Sequence, residues 1–321
     1  MLIILNEVKM SYRKPVTDLN PEPKCFSRTS LCSDYFDSNF HLETYLVRTQ
    51  RNHHWLGGPE GQMRLNDLRV GVAGLGGMGS GIAEMLVRLG VGHIKIADPD
   101  TIDLSNLNRQ VIANQKTIGT LKADAAKNEL RGLAEDFELV CYSDGITVGN
   151  AAEFVSDLDI VIDEIDVYPL AVHVCLHKEA RKMKLPVYSG YIIGMGAHIY
   201  KYEGDRFTFD DFVKRDHKNI SDPSPEFLVD RFINPPPSYL NGLSERQRFI
   251  KSMKSGGVPI FGASTAAAQS MVVIRMICDV LNLSQKMGVE PTPVMPNFIK
   301  IDPLDLKTSI CTIDQDAREV K

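Results

Sequence analysis

The chain has 321 residues, of which 43% are hydrophobic and 24% charged, and its formal net charge is -5. This length accommodates one large α/β domain or two small ones. Acidic and basic residues are interspersed without a long basic run, which argues against a nucleic-acid partner. The apolar segment 258–281 includes Arg275 and Asp279, so we interpret it as a buried helix and expect no membrane partner.

Six cysteines are scattered along the chain, and no two of them form a C-x-x-C pair. Because tetrahedral zinc sites commonly use such pairs, the sequence predicts no zinc. Scattered thiols in a chain of this length are typical of a reduced, cytoplasmic protein rather than of a disulfide scaffold. The cysteines are Cys25, Cys32, Cys141, Cys175, Cys278 and Cys311.

Residues 1–45 show little periodic pattern and contain several prolines. We interpret them as an N-terminal extension, strand-like at Leu2–Leu5, that is either poorly ordered or a small element for substrate docking. The remaining residues, 46–321, are expected to form the main domain.

A regular pattern begins near Leu68. Arg69–Ala73 is typical of a short buried strand, and the glycine-rich turn 74–79, which reads GLGGMG, follows it directly. Apolar residues at helical spacing then predict a helix, and His93–Ala97 predicts the next strand, which ends at Asp98. This is a complete β–glycine turn–α–β unit of the kind found in nucleotide-binding sheets.

Strands and helices continue to alternate beyond this unit, which predicts a doubly wound, mostly parallel α/β sheet of the Rossmann type with helices on both faces. The segment 203–257 is rich in prolines and charges, which predicts a mobile excursion with short helices. The remaining predicted elements are helices Lys122–Leu133, Asn150–Val155, Leu170–Met183 and Ala263–Leu281, and strands Phe137–Tyr142, Asp159–Asp163, Pro186–Gly190 and Asn297–Ile301.

The glycine turn by itself leaves two classes of nucleotide open. Gly74, Gly76 and Gly79 let the backbone approach phosphates at a helix N-terminus. Asp98, at the end of the second strand, is placed to bind ribose hydroxyls. An NAD-binding protein and an ATP-binding protein both fit these residues.

The residues after Asp98 favour ATP. Positions 98–110 read DPDTIDLSNLNRQ, and Lys122 follows in the sequence GTLK. A nicotinamide dehydrogenase has no need of an arginine and a lysine directed at the same phosphates, whereas an adenylating enzyme does. Attack of a carboxylate on the α-phosphorus builds negative charge and releases pyrophosphate, and fixed cations with Mg²⁺ stabilise both.

With these motifs the segment from about Arg48 to Gly196 resembles the ThiF/MoeB-type superfamily, which includes ubiquitin-activating enzymes and activators of sulfur-carrier proteins. The resemblance rests most specifically on the D-x-D…S-N-L-x-R-Q segment with the following G-x-x-K. It implies ATP and Mg²⁺ as cofactors and a two-fold homodimer. The implied nucleotide contacts are Gly74, Gly76, Gly77, Asp98, Asp100, Asn106, Arg109 and Lys122.

The resemblance also implies catalytic and metal-binding roles. Arg109 and Lys122 would stabilise charge on the phosphates, and Asp166 lies where the family places its Mg²⁺-binding aspartate. Arg48 or Arg51 occupies the region from which family members send an arginine into the partner subunit's nucleotide site, and we take Arg51 as the candidate. Asp100 has the alternative interpretation of a turn cap.

The chain departs from the family pattern at three points. Where C-T-D-N is common, Ile165–Val167 keeps the aspartate and lacks the asparagine. The zinc cysteines are absent, and 203–257 contains no cysteine where a thioester-forming one would be expected. In these respects the chain is similar to zinc-less bacterial enzymes that activate carboxylates on ribosomal peptides, as in microcin and pantocin pathways.

The predicted function is therefore ATP-dependent adenylation of a carboxylate on a peptide or small protein, in the biosynthesis of a ribosomal peptide antibiotic. The closest alternative is an activator of a ubiquitin-like or sulfur-carrier protein. A nucleotide-binding scaffold without catalysis and an NAD-dependent oxidoreductase are further alternatives. The joint presence of Arg109, Lys122 and Asp166 argues against both of these.

Overall fold

The computed structural model describes residues 42–213, 224–240, 242–254 and 258–313. The predicted N-terminal extension, with its strand-like Leu2–Leu5, lies outside these ranges except for positions 42–45, which begin the first helix. No helix within the described ranges is long and apolar enough to span a membrane.

The predicted parallel sheet is confirmed and forms part of one eight-stranded sheet. Its strands are β1 Arg69–Ala73, β2 His93–Ala97, β3 Glu138–Tyr142, β4 Ile160–Asp163, β5 Val187–Ile193, β6 Gly196–Tyr202, β7 Asn297–Asp302 and β8 Lys307–Thr312. Their order is β3–β2–β1–β4–β5–β6–β7–β8. Strands β1 to β5 pair in parallel, in the order of a Rossmann-type sheet.

Helices cover both faces of the sheet. They are α1 Leu42–Thr49, α2 Pro59–Asn66, α3 Gly79–Leu89, α4 Lys122–Leu133, α5 Ala151–Val155, α6 Leu170–Lys182, α7 Phe209–Val213, α8 Pro225–Phe232, α9 Leu243–Lys254, α10 Gly262–Val280 and α11 Leu283–Met287. Successive residues of a strand point to opposite faces. Accordingly, Ile160 and Ile162 of β4 belong to the hydrophobic cluster that includes α3 and α10, whereas Val161 belongs to the cluster that includes α5 and α6.

The antiparallel half of the sheet contains two strands, β6 and β8, that the sequence did not predict. β5 turns into β6 at Gly194, whose φ is 61°, and glycine in a two-residue loop is typical of a hairpin. The polar residues His198 and Lys201 interrupt the apolar pattern of β6, so the sequence did not predict this strand. Nevertheless, every residue of β6 is buried. Burial in β6 therefore follows from tertiary packing rather than from a visible apolar run.

The described parts of the predicted excursion 203–257 contain the short helices α7, α8 and α9. Phe212 of α7 and Phe232 of α8 lie 4.8 Å apart between ring centroids. Both rings belong to the hydrophobic cluster that includes Phe298 of β7. Helices α7 and α8 thus pack against the antiparallel half of the sheet.

We predict that Phe298→Ala lowers the free energy of unfolding by about 3–5 kcal/mol, because it removes a large side chain from a close-packed core. Phe298 is fully buried, whereas Leu306, in the turn of the β7–β8 hairpin, is 91% exposed. Leu306→Ala is the matched control and should change stability by less than about 0.5 kcal/mol. Denaturant titration measures both, and equal effects would contradict this description of the antiparallel half.

Candidate nucleotide site

The register of the parallel strands brings three chain segments to one edge of the sheet. Ala73 of β1 is paired with Ala97 of β2 and with Asp163 of β4. The residues that follow these strand ends, Gly74, Asp98 and Glu164, therefore lie side by side. This edge is where open α/β sheets bind ligands.

The glycine turn is as bare as a phosphate site requires. Gly74 has φ 89°, and a Cβ on it would lie 2.2 Å from the Glu164 carbonyl oxygen. A Cβ on Gly79 would lie 1.8 Å from the Gly74 carbonyl oxygen. At Gly76, by contrast, the nearest atom to an added Cβ is an amide nitrogen 4.0 Å away. The turn is closed by its own backbone on one side and open at Gly76, just before the N-terminus of α3.

Acidic side chains and a lysine meet beside the turn. Asp98 is buried, and its carboxylate accepts hydrogen bonds from the backbone N–H groups of Leu75 at 2.6 Å and Asp100 at 2.9 Å. The Lys122 ammonium lies 2.8 Å from the Asp100 carboxylate and 3.8 Å from that of Asp98. Burial raises the pKa of Asp98, while Lys122 and the two N–H groups act in the opposite direction. Asp100 is thus an ion-pair partner of Lys122.

The 3₁₀ helix Leu104–Asn108 places Asn106 and Arg109. Asp103 caps this helix through a reciprocal capping box with Asn106. The Arg109 guanidinium donates to the Ser105 carbonyl at 3.1 Å. Among the described residues, the Nε of Arg109 is buried without a hydrogen-bond partner, and so is the Oε1 of Gln110. Both residues line the cavity described below, so a polar ligand bound there would complete their hydrogen bonding.

Three carboxylates lie at the end of β4 and in the loop after it, namely Asp163, Glu164 and Asp166. Asp163 is fully buried, and its Oδ2 lies 2.7 Å from His173 Nδ1 and 2.9 Å from His177 Nε2. Burial opposes its ionisation, but the two histidines outweigh burial and hold the pKa of Asp163 below its usual value. Glu164 accepts a hydrogen bond from Gly190 N–H at 2.9 Å. Burial, followed by the charge of Asp163, raises the pKa of Glu164 well above its usual range.

A cavity of about 660 Å³ joins these segments, which is a normal volume for a small-molecule site. Its lining includes the predicted Gly74, Gly76, Gly77, Asp98, Asp100, Asn106, Arg109, Lys122 and Asp166. Arg51 is exposed and does not line the cavity. Arg48 pairs instead with Asp136 of the same chain and donates to the Val87 carbonyl at 2.7 Å.

Residues 48–319 match the ThiF family. The chain belongs to this family. The match extends from the end of α1 through the antiparallel half of the sheet. The long helix α10 and strands β6 to β8 are therefore parts of the ThiF domain.

Curated relatives match only part of their own length. The SAMP-activating enzyme E1 of Haloferax volcanii is 35% identical over 151 residues, which are 47% of this chain and 53% of that protein. The sulfur carrier protein ThiS adenylyltransferase of Bacillus subtilis is 34% identical over 139 residues, 43% of this chain and 41% of that protein. The chain thus spans about half the length of these relatives.

Solved structures share the ThiF fold over most of the chain. PaaA superposes with a TM-score of 0.62 at 18% identity, covering 88% of this chain and 78% of that chain. Escherichia coli MccB in complex with ATP has a TM-score of 0.60 at 18% identity, covering 83% of this chain and 71% of that chain. At this identity the likeness concerns the fold alone.

Sequence reasoning missed several residues of this ThiF-domain cavity. Glu164, Tyr191 and Thr265 also line it. Glu164 lies two residues before the predicted Asp166, and its carboxylate was a signal in the sequence that could have identified it. Thr265 lies at the start of α10, whose Gln269 donates to the Gly77 carbonyl at 2.6 Å, and no local pattern connects that helix to the glycine turn.

We predict that alanine at two glycines of the turn has different effects, on ATP binding at Gly76 and on stability at Gly79. The added methyl of Gly76→Ala enters the cavity, so the protein should fold normally but bind ATP about 10- to 100-fold more weakly, as expected for steric overlap of about 1–3 kcal/mol. In Gly79→Ala the methyl overlaps the Gly74 carbonyl, so thermal stability should fall. Calorimetric titration with ATP and thermal unfolding separate the two, and unchanged ATP affinity in Gly76→Ala would exclude the turn as the phosphate site.

Proposed function

We propose that this protein uses ATP and Mg²⁺ to adenylate a carboxylate on a peptide or small protein. One observation carries this proposal. A single cavity is lined by a bare glycine turn, an acidic residue after β2, two cations and an exposed carboxylate after β4. These are the groups needed for phosphates, ribose, developing charge and metal, respectively.

The nucleotide would lie along the strand ends. Its phosphates would face the open side of the turn at Gly76, near the N-terminus of α3, and its ribose hydroxyls would donate to Asp98. The unpartnered Arg109 Nε supports a polar ligand beside the turn. Lys122 is held by Asp100 at 2.8 Å, and ATP phosphates would compete with Asp100 for this ammonium group.

In the proposed reaction the substrate carboxylate oxygen attacks the α-phosphorus of ATP. The bond from the α-phosphorus to the bridging oxygen breaks, so an acyl-adenylate and pyrophosphate form. Negative charge grows on the α-phosphate and on the leaving group, and Lys122 and Arg109 are placed to stabilise it. Catalysis then consists of positioning and electrostatics, with no covalent bond to the protein.

The described residues fit a magnesium ion that arrives with ATP. They contain no group of three or more His, Cys, Asp or Glu side chains that could hold a metal by themselves. Mg²⁺ at nucleotide sites usually takes one or two carboxylates and completes its shell with phosphates and water. Asp166 is exposed and lines the cavity, so it is the proposed ligand. Bound Mg²⁺ would neutralise charge on the departing pyrophosphate.

The cysteines support direct transfer from the adenylate. None of the four described cysteines lines the cavity, and the segment 203–257 contains no cysteine at all. A nucleophile on the substrate itself would then attack the acyl-adenylate, which favours modification of a peptide, such as a ribosomal peptide antibiotic precursor. The alternative is activation of a small carrier protein, supported by relatives named as SAMP-activating and ThiS-adenylylating enzymes.

A two-fold homodimer is part of the proposal. Arg48 is engaged within its own chain by Asp136, so Arg51, which is exposed, is the better candidate to reach the nucleotide of a partner subunit.

We predict that ATP with Mg²⁺ stabilises the folded protein and that NAD does not. A ligand that binds only the native state raises stability by mass action, by about 2.7 kcal/mol at 100 times its Kd. Thermal-shift titration with each nucleotide measures this. Stabilisation by NAD without stabilisation by ATP would identify the chain as an NAD-binding protein instead.

We further predict that Lys122→Ala and Asp166→Ala each reduce ATP–pyrophosphate exchange by about 10²–10³-fold, since each removes a preorganised electrostatic contact. The exchange is assayed with two substrate sets, small carrier proteins ending in Gly-Gly and short ribosomal peptides. Six single Cys→Ser variants are the controls and should retain full exchange. Full exchange in Lys122→Ala would refute the proposed site.

A gel-shift assay on the same cysteine variants distinguishes the two substrate classes. Direct transfer to a peptide leaves no covalent adduct with the protein. A thioester mechanism would instead give a carrier adduct that one Cys→Ser variant abolishes, and this outcome would select the carrier-protein alternative.

A further inference from the structure

Two buried histidines lie beneath the loop that carries Asp166, and the proposed reaction does not use them. His173 and His177 stand one turn apart on α6, and both contact Oδ2 of Asp163. Their side chains are 1% and 7% exposed, and the Asp163 side chain is fully buried. A polar cluster buried this completely is costly unless its members are matched.

The two histidines differ in one contact. Nε2 of His173 lies 2.8 Å from the backbone carbonyl oxygen of Asp166, whereas the hydrogen bond of the His177 ring, among the described residues, goes to Asp163. The partners of His173 are a carboxylate and a carbonyl, and both can only accept. His173 therefore donates through both ring nitrogens and bridges the end of β4 to the residue proposed to bind Mg²⁺.

Neighbouring side chains hold His173, His177 and Asp163 in place. The ring of Phe209 stacks on His173 at 5.4 Å and on His177 at 4.4 Å between ring centroids. On the sheet side, Ser189 donates to the Asp163 carbonyl at 2.6 Å. The His173 ring therefore has a fixed orientation, as a group that positions its neighbour requires.

Asp166 itself needs such support. It is exposed, and the described contact of its carboxylate is a 2.8 Å hydrogen bond from Val167 N–H, which lies in the same loop. That bond does not tie the loop to the sheet. The connection from Asp166 through His173 to Asp163 reaches the central strand β4.

We propose that His173 is a positioning residue that fixes Asp166 for Mg²⁺ by donating one hydrogen bond to Asp163 and one to the Asp166 carbonyl. This inference rests on the proposed function, in which Asp166 binds the magnesium that accompanies ATP. His177, which shares the same carboxylate and the same burial, stabilises Asp163 and has no part in placing Asp166.

The test compares substitutions that remove different hydrogen bonds. The amide nitrogen of asparagine matches Nδ1 of histidine, and that of glutamine matches Nε2. His173→Asn thus keeps the donor to Asp163 and loses the donor to Asp166, while His173→Gln keeps the donor to Asp166. His177→Asn is the matched control, because it removes a donor to Asp163 alone.

The measurement is ATP binding by calorimetry at increasing Mg²⁺ concentration, with a parallel titration in EDTA. His173→Asn should raise the half-saturating Mg²⁺ concentration by about 10- to 100-fold, the usual effect of losing an outer-shell partner. Its ATP affinity in EDTA should stay within about twofold. His173→Gln should restore most of the Mg²⁺ response, and His177→Asn should leave it near that of the unmodified protein.

Asp166→Ala, measured alongside, separates failure of this inference from failure of the proposed function. If Asp166→Ala shifts the Mg²⁺ requirement and His173→Asn does not, or if His173→Asn and His177→Asn shift it equally, the positioning role is wrong. If Asp166→Ala has no effect, the proposed magnesium ligand is wrong, and this inference with it.

A second measurement uses the unmodified protein and stands even if a variant fails to fold. With ¹⁵N-labelled histidine, adding Mg²⁺ to the ATP-bound protein should shift the ring resonances of His173 more than those of His177. Equal shifts, or no shift at His173, would overturn the proposal.

Discussion

The parallel pairing of β1 with β2 and β4 is the constraint on which the cavity depends. Because all three strands end level, the backbone N–H of Gly74 bonds to the Ala97 carbonyl at 2.8 Å, and that of Glu164 bonds to the Ala73 carbonyl at 2.8 Å. This leaves no room for a side chain at Gly74. The turn is therefore bare backbone, and the charges that a nucleotide needs must come from neighbouring segments.

In these neighbouring segments, each buried carboxylate has hydrogen-bond donors or a cation beside it. On the β2 side, Asp98 has two backbone N–H groups and the nearby Lys122. On the β4 side, Asp163 has His173 and His177. Burial of an unmatched charge is very unfavourable, so these pairings allow acidic groups to stand at the edge of an apolar sheet. They also fix the charges before any ligand arrives, which is the arrangement that electrostatic catalysis requires.

The antiparallel half of the sheet and α10 complete the site from the other end of the chain. Gln269 of α10 holds the Gly77 carbonyl, and Thr265 lines the cavity. α7, from the excursion, contributes Phe209, whose ring packs on both histidines. The cavity is thus built by segments from both ends of the described chain, although its glycine turn is local.

The sequence by itself determined the β–glycine turn–α–β unit and the mostly parallel sheet, and it predicted the ATP-site candidates from Gly74 to Asp166, because these depend on short-range periodicity and on motifs within one segment. Only the tertiary structure decided that β6 and β8 join the sheet, that Lys122 pairs with Asp100, and that His173 contacts both Asp163 and the Asp166 carbonyl. Strand β6 is buried because it lies between β5 and β7, although its sequence contains polar residues. The contacts of Lys122 and His173 join each side chain to residues outside its own helix, and the periodicity and motifs of the sequence do not specify them.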